Sequence, residues 1–244
     1  MGIDILVPVL GRPQNAAKVA ESLKVTKSDY RLVFIASPND TEQIAACREI
    51  ADVLVVDWAP GKADYAKKIN TGFSETQNEW VFQGADDIVF SDGWDEAALF
   101  VATKNRKRVI GTNDLHNPSV KKAMHSTHTL FARSYIEEWG GTLDDTGTVL
   151  CELYDHQYVD TEFIAVARKR REWAFARRSI VEHLHPHWGL AETDKTYAKA
   201  MRQTGRDMRL YKERMGIVTR SRGSDRFRER QEAMRKAKEA RLRR

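Results

Sequence analysis

Short apolar runs alternate with amphipathic segments along the first half of the chain. The apolar runs are rich in β-branched residues and predict four strands, at residues 3–10, 31–37, 52–58 and 79–85. The intervening segments repeat apolar residues at helical spacing and predict three helices, at 13–23, 40–51 and 63–73. Strands that alternate with helices are typical of a parallel sheet flanked by helices, so we expect an α/β fold.

The pattern is less regular in the second half. It predicts a helix at 92–103, a strand at 107–113, an irregular region at 114–150 and a helix at 159–173. Beyond residue 190 the pattern is helical again, with an interruption at 216–225. The final segment, 226–244, has little apolar content and fits either a solvated helix or a mobile coil.

Charge divides the 244-residue chain into two parts. Residues 195–244 contain 18 Lys or Arg and 6 Asp or Glu, a balance of +12. The preceding residues contain 22 basic and 29 acidic side chains, a balance of −7. We therefore predict a body at 1–190 and a helical, basic C-terminal extension at 191–244.

Composition favours a globular protein of the cytoplasm. Hydrophobic residues make up 41% of the chain, which is enough to build a core. No run approaches the roughly 20 apolar residues of a membrane span, and the N-terminal residues lack the pattern of a signal peptide. Cys47 and Cys151 do not have metal-ligand spacing, and we interpret them as reduced, buried thiols.

Two adjacent acids, Asp86 and Asp87, follow the apolar strand predicted at 79–85. An unpaired buried charge is very costly, so these carboxylates must stay hydrated, cap a helix or meet a cation. Ligands of open α/β sheets bind beyond the carboxyl ends of the strands, where Arg12 and Asp40 are also expected. Mg²⁺ and Mn²⁺ prefer oxygen ligands, and one carboxylate can suffice. Taken alone, the pair also fits a solvated turn.

Three histidines, His183, His185 and His187, recur with period two and point to one side if the segment is extended. Pro186 disfavours a regular central strand there. A metal site and ordinary surface or core imidazoles both fit this pattern. The chain contains no G-x-G-x-x-G, no Walker sequence, no G-x-S-x-G and no H-E-x-x-H. Dinucleotide oxidoreductases, P-loop enzymes and common hydrolases are therefore disfavoured.

Five segments together resemble GT-A glycosyltransferases: 3–13, 61–76, 84–90 ("GADDIVF"), 159–163 and 183–189 ("HLHPHWG"). The resemblance is closest to family-2-like enzymes of bacteria and bacteriophages. It implies a GT-A catalytic domain at 1–190, with a Rossmann-like, mixed but mostly parallel sheet. It also implies a hexosyltransferase that uses a nucleotide-diphosphate sugar, with UDP expected. The acceptor would be a protein, such as a phage virion component, a glycan or a modified nucleobase. The location would be the host cytoplasm if the chain is phage-encoded.

The resemblance further implies residue roles. Asp87 and His185, with His183 as the next candidate, would hold Mn²⁺ or Mg²⁺, and Asp86 would hold the ribose or a metal-bound water. The family's motif is Asp-any-Asp, and Ala85 at its first position departs from that pattern. Asp160, or alternatively Glu162, would be the catalytic base, although both acids also fit helix capping. The other donor-site candidates are Pro8, Arg12, Asp40, Gly61, Lys62 and Lys68. The acceptor-site candidates are Asp114, His125, His128 and Trp188.

Two motifs of the third helix have alternative interpretations. Lys67 and Lys68 also fit a solvated helix face. Asn70 and Gly72 match an Asn-any-Gly sequence of the family, which we interpret as a structural turn.

Two other functions fit parts of the sequence. A nucleotidyltransferase would use a similar sheet and metal, but the Gly-rich basic loop expected after its first strand is missing. A nucleic-acid-binding protein would use the basic tail to neutralise phosphates. The tail equally fits docking to an acidic protein, contact with an anionic membrane surface, or oligomerisation.

Overall fold

The computed structural model describes residues 2–217, without the side chains at 196 and 199–201. Within this range the strands are β1 (Gly2–Pro8), β2 (Asp29–Ala36), β3 (Asp52–Val55), β4 (Trp80–Gln83), β5 (Ile88–Phe90), β6 (Val109–Asn113), β7 (Thr129–Ala132) and β8 (Trp173–His183). The helices are α1 (Pro13–Leu23), α2 (Thr41–Arg48), α3 (Asp64–Ser74), α4 (Trp94–Asn105), α5 (Pro118–Lys121), α6 (Arg133–Trp139), α7 (Val159–Lys169) and α8 (Lys195–Arg214). The predicted segment 226–244 lies outside the described residues.

The strands form one mixed sheet in the order β3-β2-β1-β4-β7-β6-β8-β5. The first four positions of this order are parallel neighbours. β7 is antiparallel to both of its neighbours, and β5 is antiparallel to β8. β1 and β4 are buried along almost their whole length, which explains their nearly continuous apolar sequences. The predicted α/β class with a mixed, mostly parallel sheet is confirmed.

Side chains alternate across β1 and build a separate core on each face of the sheet. Ile3, Ile5 and Val7 contribute to a core with α1, α2 and α4, and Leu6 contributes to a core with α3, α6 and α7. Cys47 and Cys151 are buried free thiols, one in each core, as the sequence predicted.

The second half differs from the sequence expectation in several places. β5 and β7, three and four residues long, were not predicted because such short buried runs carry little periodicity. The helix predicted to continue to 173 ends at Lys169, since Arg171 adopts a left-handed backbone (φ 62°) and β8 begins at Trp173. β8 then ends at His183, before Pro186.

The Asn-any-Gly sequence is not a turn, because it lies inside α3. Asn70 Oδ1 accepts hydrogen bonds from the backbone N–H groups of Val149 (3.0 Å) and Leu150 (2.9 Å). A Cβ added at Gly72 would lie 2.7 Å from Ile35 Cδ1, so glycine allows α3 to pack closely on the sheet.

Helix α8 packs against the body although its sequence is basic. Arg214 at its end donates to both carboxylate oxygens of Glu162 at 2.6 Å and to Asp144 at 2.6 Å. The side chains of Arg214 and Glu162 are 1% and 0% exposed, so this is a buried ion pair. The boundary predicted at residue 190 therefore marks a change in amino-acid composition, and α8 beyond it packs against the body. Among residues 2–217, no helix is long and apolar enough to cross a membrane.

Replacing Arg214 with alanine is expected to lower the free energy of unfolding by about 3 to 5 kcal/mol, because it leaves the buried Glu162 without its arginine counter-ion. Urea denaturation monitored by circular dichroism measures this change. Arg209→Ala is the matched control, since Arg209 is an exposed arginine of the same helix, and it should change stability by less than about 0.5 kcal/mol. Equal losses for the two variants would contradict the buried pair.

Candidate functional site

A cavity of about 250 Å³ opens at the carboxyl ends of β1 and β4, where the sequence predicted a ligand crevice. Its lining comes from the loops that follow these two strands and from residues between 60 and 68. Residues 127 and 128, residues between 155 and 160, the end of β8, and Tyr197 and Gln203 of α8 complete it. Its polar lining residues include Arg12, Lys68, Asp86, Asp87, His128, Asp155, His156, Gln157, Asp160, His183, His185 and Tyr197.

The acidic pair lies in the loop between β4 and β5. Gly84 N donates to Leu6 O at 2.9 Å, and a Cβ on Gly84 would lie 3.0 Å from that oxygen, so glycine allows this close approach to β1. On the other side of the pair, Leu184 N donates to Asp87 O at 2.8 Å. His183 is paired with Ile88 in the β5–β8 ladder, which places it beside Asp87.

Asp87, His128 and His183 form a cluster in which one ligand atom of each residue lies within 4.8 Å of the others. His183 Nε2 is 3.3 Å from Asp87 Oδ2. The ring centroids of His128 and His183 are 4.9 Å apart. His128 precedes β7, whose antiparallel pairing with β4 brings it beside the acidic loop. The structure therefore places His128, which the sequence assigned to the acceptor side, with the metal candidates.

This cluster has the chemistry of a site for a divalent cation. Asp87 Oδ1 and both ring nitrogens of His128 are buried and have no hydrogen-bond partner among the described residues. Carboxylate oxygen and imidazole nitrogen are ordinary ligands of Mn²⁺ and related ions. Buried polar atoms without partners are costly, so a bound cation would satisfy atoms that the described protein groups do not.

Burial and charge set the protonation of these groups. Burial alone would raise the pKa of Asp87, but the hydrogen bond and charge of His183, together with the Tyr197 hydroxyl, hold that pKa well below its usual range. Burial lowers the pKa of His128 to about 4, and the neighbouring His183 adds to this effect. At neutral pH the cluster therefore offers an ionised carboxylate and a neutral His128 imidazole, the forms that bind metals.

His185, the other predicted ligand, lines the cavity without joining this cluster. Its ring packs against the Tyr197 ring with centroids 4.8 Å apart, and its Nδ1 accepts a hydrogen bond from His187 N at 3.1 Å. Burial lowers the pKa of His185 to about 4. The geometry thus favours His128 over His185 as the third ligand.

Arg12 carries a buried positive charge beside the cluster. Its Nη1 donates to Asp86 at 3.1 Å and its Nε to Asp194 at 2.6 Å. Its guanidinium lies over the Tyr197 ring, 4.2 Å from the centroid, and the Tyr197 hydroxyl donates to Asp87. Burial and the charge of Asp87 raise the pKa of Asp86, and Arg12 opposes them. The sequence analysis missed Asp194 and Tyr197, because the helical pattern of α8 indicated no contact with the acidic pair.

Asp160 lies at the junction of this cavity with a second one of about 680 Å³, and lines both. Its Oδ2 is 3.1 Å from Nε2 of His125, which lines the second cavity. Burial would raise the pKa of Asp160, but the charge and hydrogen bond of His125 lower it below its usual value. Asp160 therefore presents an ionised carboxylate to both cavities.

Glu162, the alternative base, does not reach either cavity. It is fully buried and accepts hydrogen bonds from Tyr154 and Arg214, so its charge serves the α7–α8 contact. Residues 160 and 162 differ in this way because positions two apart on a helix face different directions.

Some of the other donor-site candidates line the first cavity and some do not. Pro8, Gly61 and Lys68 line the first cavity, whereas Lys62 is exposed and is not among its lining residues. Lys68 is buried, contrary to a solvated helix face, and its ammonium contacts Val9 O (2.9 Å) and Asp64 (2.8 Å). Asp40 also lies outside the lining and accepts a hydrogen bond from Gly11 N at 2.6 Å.

Two acceptor candidates have positions that do not support contact with an acceptor. Asp114 is buried, and its Oδ1 accepts hydrogen bonds from the backbone of His116 (3.1 Å) and Asn117 (3.0 Å), so it shapes the loop. Trp188 packs against His187, with ring centroids 4.5 Å apart, and is not among the lining residues of either cavity.

Comparisons with known proteins find matches among solved structures. No protein-family model and no curated protein matches the sequence. The mannosyltransferase PcManGT of Pyrobaculum calidifontis, solved with GDP-Man and Mn²⁺, matches with a TM-score of 0.66 at 12% identity, over 91% of this chain and 66% of that chain. Glucosyl-3-phosphoglycerate synthase of Mycobacterium tuberculosis, solved with Mn²⁺, UDP-glucose and phosphoglyceric acid, matches with a TM-score of 0.59 at 13% identity, over 89% and 81%. This chain has the GT-A fold.

A third structure agrees with this assignment. Residues 1–349 of TarS from S. aureus, solved with UDP-GlcNAc, match with a TM-score of 0.56 at 13% identity, over 83% of this chain and 65% of that one. The chain thus spans about two thirds of PcManGT and of this TarS structure. At such low identity the likeness shows the GT-A fold and leaves the substrates to be inferred from the site.

Calorimetric titration with Mn²⁺ tests the cluster directly. Asp87→Asn and His183→Gln are expected to abolish binding, and His128→Gln to weaken it by about tenfold or more, because loss of even an outer-shell partner typically costs at least that much. His185→Gln is the matched control, a neighbouring imidazole outside the cluster, and it should leave the affinity largely unchanged. A larger loss for His185→Gln than for His128→Gln would show that the ligand set is wrong.

Proposed function

We propose that this chain is a metal-dependent glycosyltransferase of the hexosyltransferase type. It moves a sugar from a nucleotide-diphosphate donor, with UDP as the nucleotide, to a hydroxyl group of a protein or glycan. The observation that carries this proposal is the cluster of Asp87, His128 and His183 beside Arg12 in one cavity of a GT-A fold. Solved structures with this fold that contain sugar nucleotides and Mn²⁺ support it.

The donor diphosphate is assigned to the side of the cavity that contains Arg12. A guanidinium offers a planar fork of donors that matches phosphate oxygens. Arg12 Nη2 is buried and has no hydrogen-bond partner among residues 2–217, so it is available to such a ligand. Lys68 adds a second positive charge, while its bonds to Val9 and Asp64 hold the loop after β1 in place.

Asp87, His128 and His183 would hold the cation. When bound, Mn²⁺ or Mg²⁺ supplies a Lewis acid that stabilises negative charge on the departing diphosphate. Asp87 contributes an ionised oxygen, while His128 is kept neutral by burial and offers a nitrogen. Asp86 is held by Arg12 and shapes the donor side of the same cavity.

Asp160 is the proposed general base of an inverting transfer. It would accept the proton of the acceptor hydroxyl while the oxygen forms its bond to the anomeric carbon and the bond to the diphosphate breaks. Its position between the two cavities lets the donor occupy the first and the acceptor the second. His125 orients the carboxylate and keeps it ionised. The bacteriophage origin and the cytoplasmic location remain predictions.

Calorimetric binding of UDP, GDP and UMP, each with Mn²⁺ and with EDTA, tests the function. UDP is expected to bind with Mn²⁺ and to bind at least about tenfold more weakly with EDTA, since Asp87, His128 and His183 would hold a cation whose positive charge stabilises a bound diphosphate. UMP should bind more weakly than UDP, and Asp87→Asn should remove the effect of Mn²⁺. Preference for GDP would show that the donor contains guanine instead of uracil. Failure of every nucleotide to bind would contradict the proposed glycosyltransferase function.

Asp160→Asn tests the base. Turnover of a UDP-sugar, measured as UDP release, is expected to fall by about a hundredfold or more, because general base catalysis typically contributes at least that factor. The affinity for UDP with Mn²⁺ should not change, since Asp160 is outside the metal cluster. His125→Gln should cause a smaller loss of turnover. Undiminished turnover by Asp160→Asn would exclude Asp160 as the base.

A further inference from the structure

Helix α8 is basic, but one of its acidic side chains, Asp207, is buried. Residues 195–214 include seven Lys or Arg and only two acids, Asp207 and Glu213. Asp207 is 0% exposed. A buried carboxylate is costly unless hydrogen bonds satisfy it, so its partners indicate what it is for.

The partners of Asp207 are three consecutive backbone N–H groups of residues 155–157. Asp155 N donates to Oδ1 at 2.9 Å, and His156 N and Gln157 N donate to Oδ2 at 3.0 and 2.8 Å. Hydrogen bonds to an ionised carboxylate are roughly twice as strong as neutral ones. The neighbouring Arg206 pairs with the Asp155 side chain at 2.8 Å. Together these contacts fix the segment 155–157 to α8.

This segment forms part of both cavities. Asp155, His156 and Gln157 line the first cavity, and Gln157 also lines the second. Tyr158, the next residue, has a left-handed backbone (φ 67°) and caps α7, so Asp160 follows the segment by only three positions. A displacement of residues 155–157 would therefore move both the wall between the cavities and the carboxylate at their junction.

We propose that Asp207 is a positioning residue for the transfer step, which holds segment 155–157 so that Asp160 is correctly placed against the acceptor hydroxyl. This inference rests on the proposed glycosyltransferase function. Asp207 touches neither cavity and acts only through the backbone that it binds. The basic helix is thereby a part of the catalytic apparatus, whatever the role of residues 218–244.

Asp207→Asn is the main test, because it keeps the size of the side chain but replaces one accepting oxygen with an NH₂ group that faces backbone donors. Glu213→Gln is the matched control, the same chemical change on the same helix, at a residue whose side chain makes no described contact with 155–157. Asp207→Glu serves as a conservative variant. Each full-length protein is compared by thermal melting, by amide hydrogen exchange at 155–157, by UDP affinity with Mn²⁺, and by UDP release from a UDP-sugar.

We expect faster amide exchange at 155–157 in Asp207→Asn and a fall in kcat of between about tenfold and about a hundredfold, since a misplacement of ~1 Å can cost that much. The affinity for UDP with Mn²⁺ should fall by much less than kcat, because Arg12, Asp87, His128 and His183 lie on other elements and segment 155–157 forms only part of the lining of the first cavity. Asp207→Glu should recover part of the lost kcat, and Glu213→Gln should behave as wild type.

Faster exchange with unchanged kcat would overturn the proposal, because the segment would then be displaced without consequence for turnover. Equal losses of UDP affinity and kcat, together with a lower melting temperature, would overturn it in favour of a general structural role. Absence of UDP binding and turnover in the wild-type protein would instead contradict the proposed function. The exchange measurement would still report whether Asp207 holds the segment.

Discussion

The antiparallel pairing of β5 with the end of β8 is the contact on which the candidate site depends. β5 has only three residues, yet its ladder sets Ile88 opposite His183 and leads to the bond between Asp87 O and Leu184 N. Phe90 of β5 packs against Phe82 and Trp94, and the three ring centroids are 4.7 to 5.3 Å apart. This aromatic cluster stabilises a strand that is too short to be stable by itself.

The site gathers opposite charges that would be unstable in a buried position one at a time. Asp86 and Asp87 are adjacent and buried, and Arg12 lies 3.1 and 3.8 Å from their carboxylates. Asp194 and Tyr197 from α8 complete the surroundings of Arg12. The proposed ligand, a diphosphate together with a cation, would bring an anion to Arg12 and a positive charge to Asp87.

Helix α8 connects the parts of the site. Tyr197 near its start reaches Asp87, Asp207 holds the segment that leads to α7, and Arg214 at its end is buried against Glu162 of α7. These contacts explain why a helix with so many basic residues packs on an acidic body. The exposed Arg202, Arg206 and Arg209 contribute to the basic composition. The described side chains of α8 that contact the body include Tyr197, Asp207, Leu210, Tyr211 and Arg214.

The sequence by itself determined most of the first half of the fold and the location of the acidic pair. Strand and helix patterns repeat over two to four residues, so local spacing is enough to recognise them, and α1 was predicted at its observed bounds. The family resemblance also named Asp87, His183 and Arg12 as site candidates and preferred Asp160 over Glu162, and the structure places these four preferred residues in the lining of one cavity. Tertiary structure alone decided that His128 rather than His185 joins the cluster, that Tyr197 contacts Asp87, and that Asp207 binds the backbone of residues 155–157. Tyr197 and Asp87 are 110 positions apart, and Asp207 and Asp155 are 52 apart. Such contacts depend on strand pairing and helix packing, which no local pattern of residues specifies.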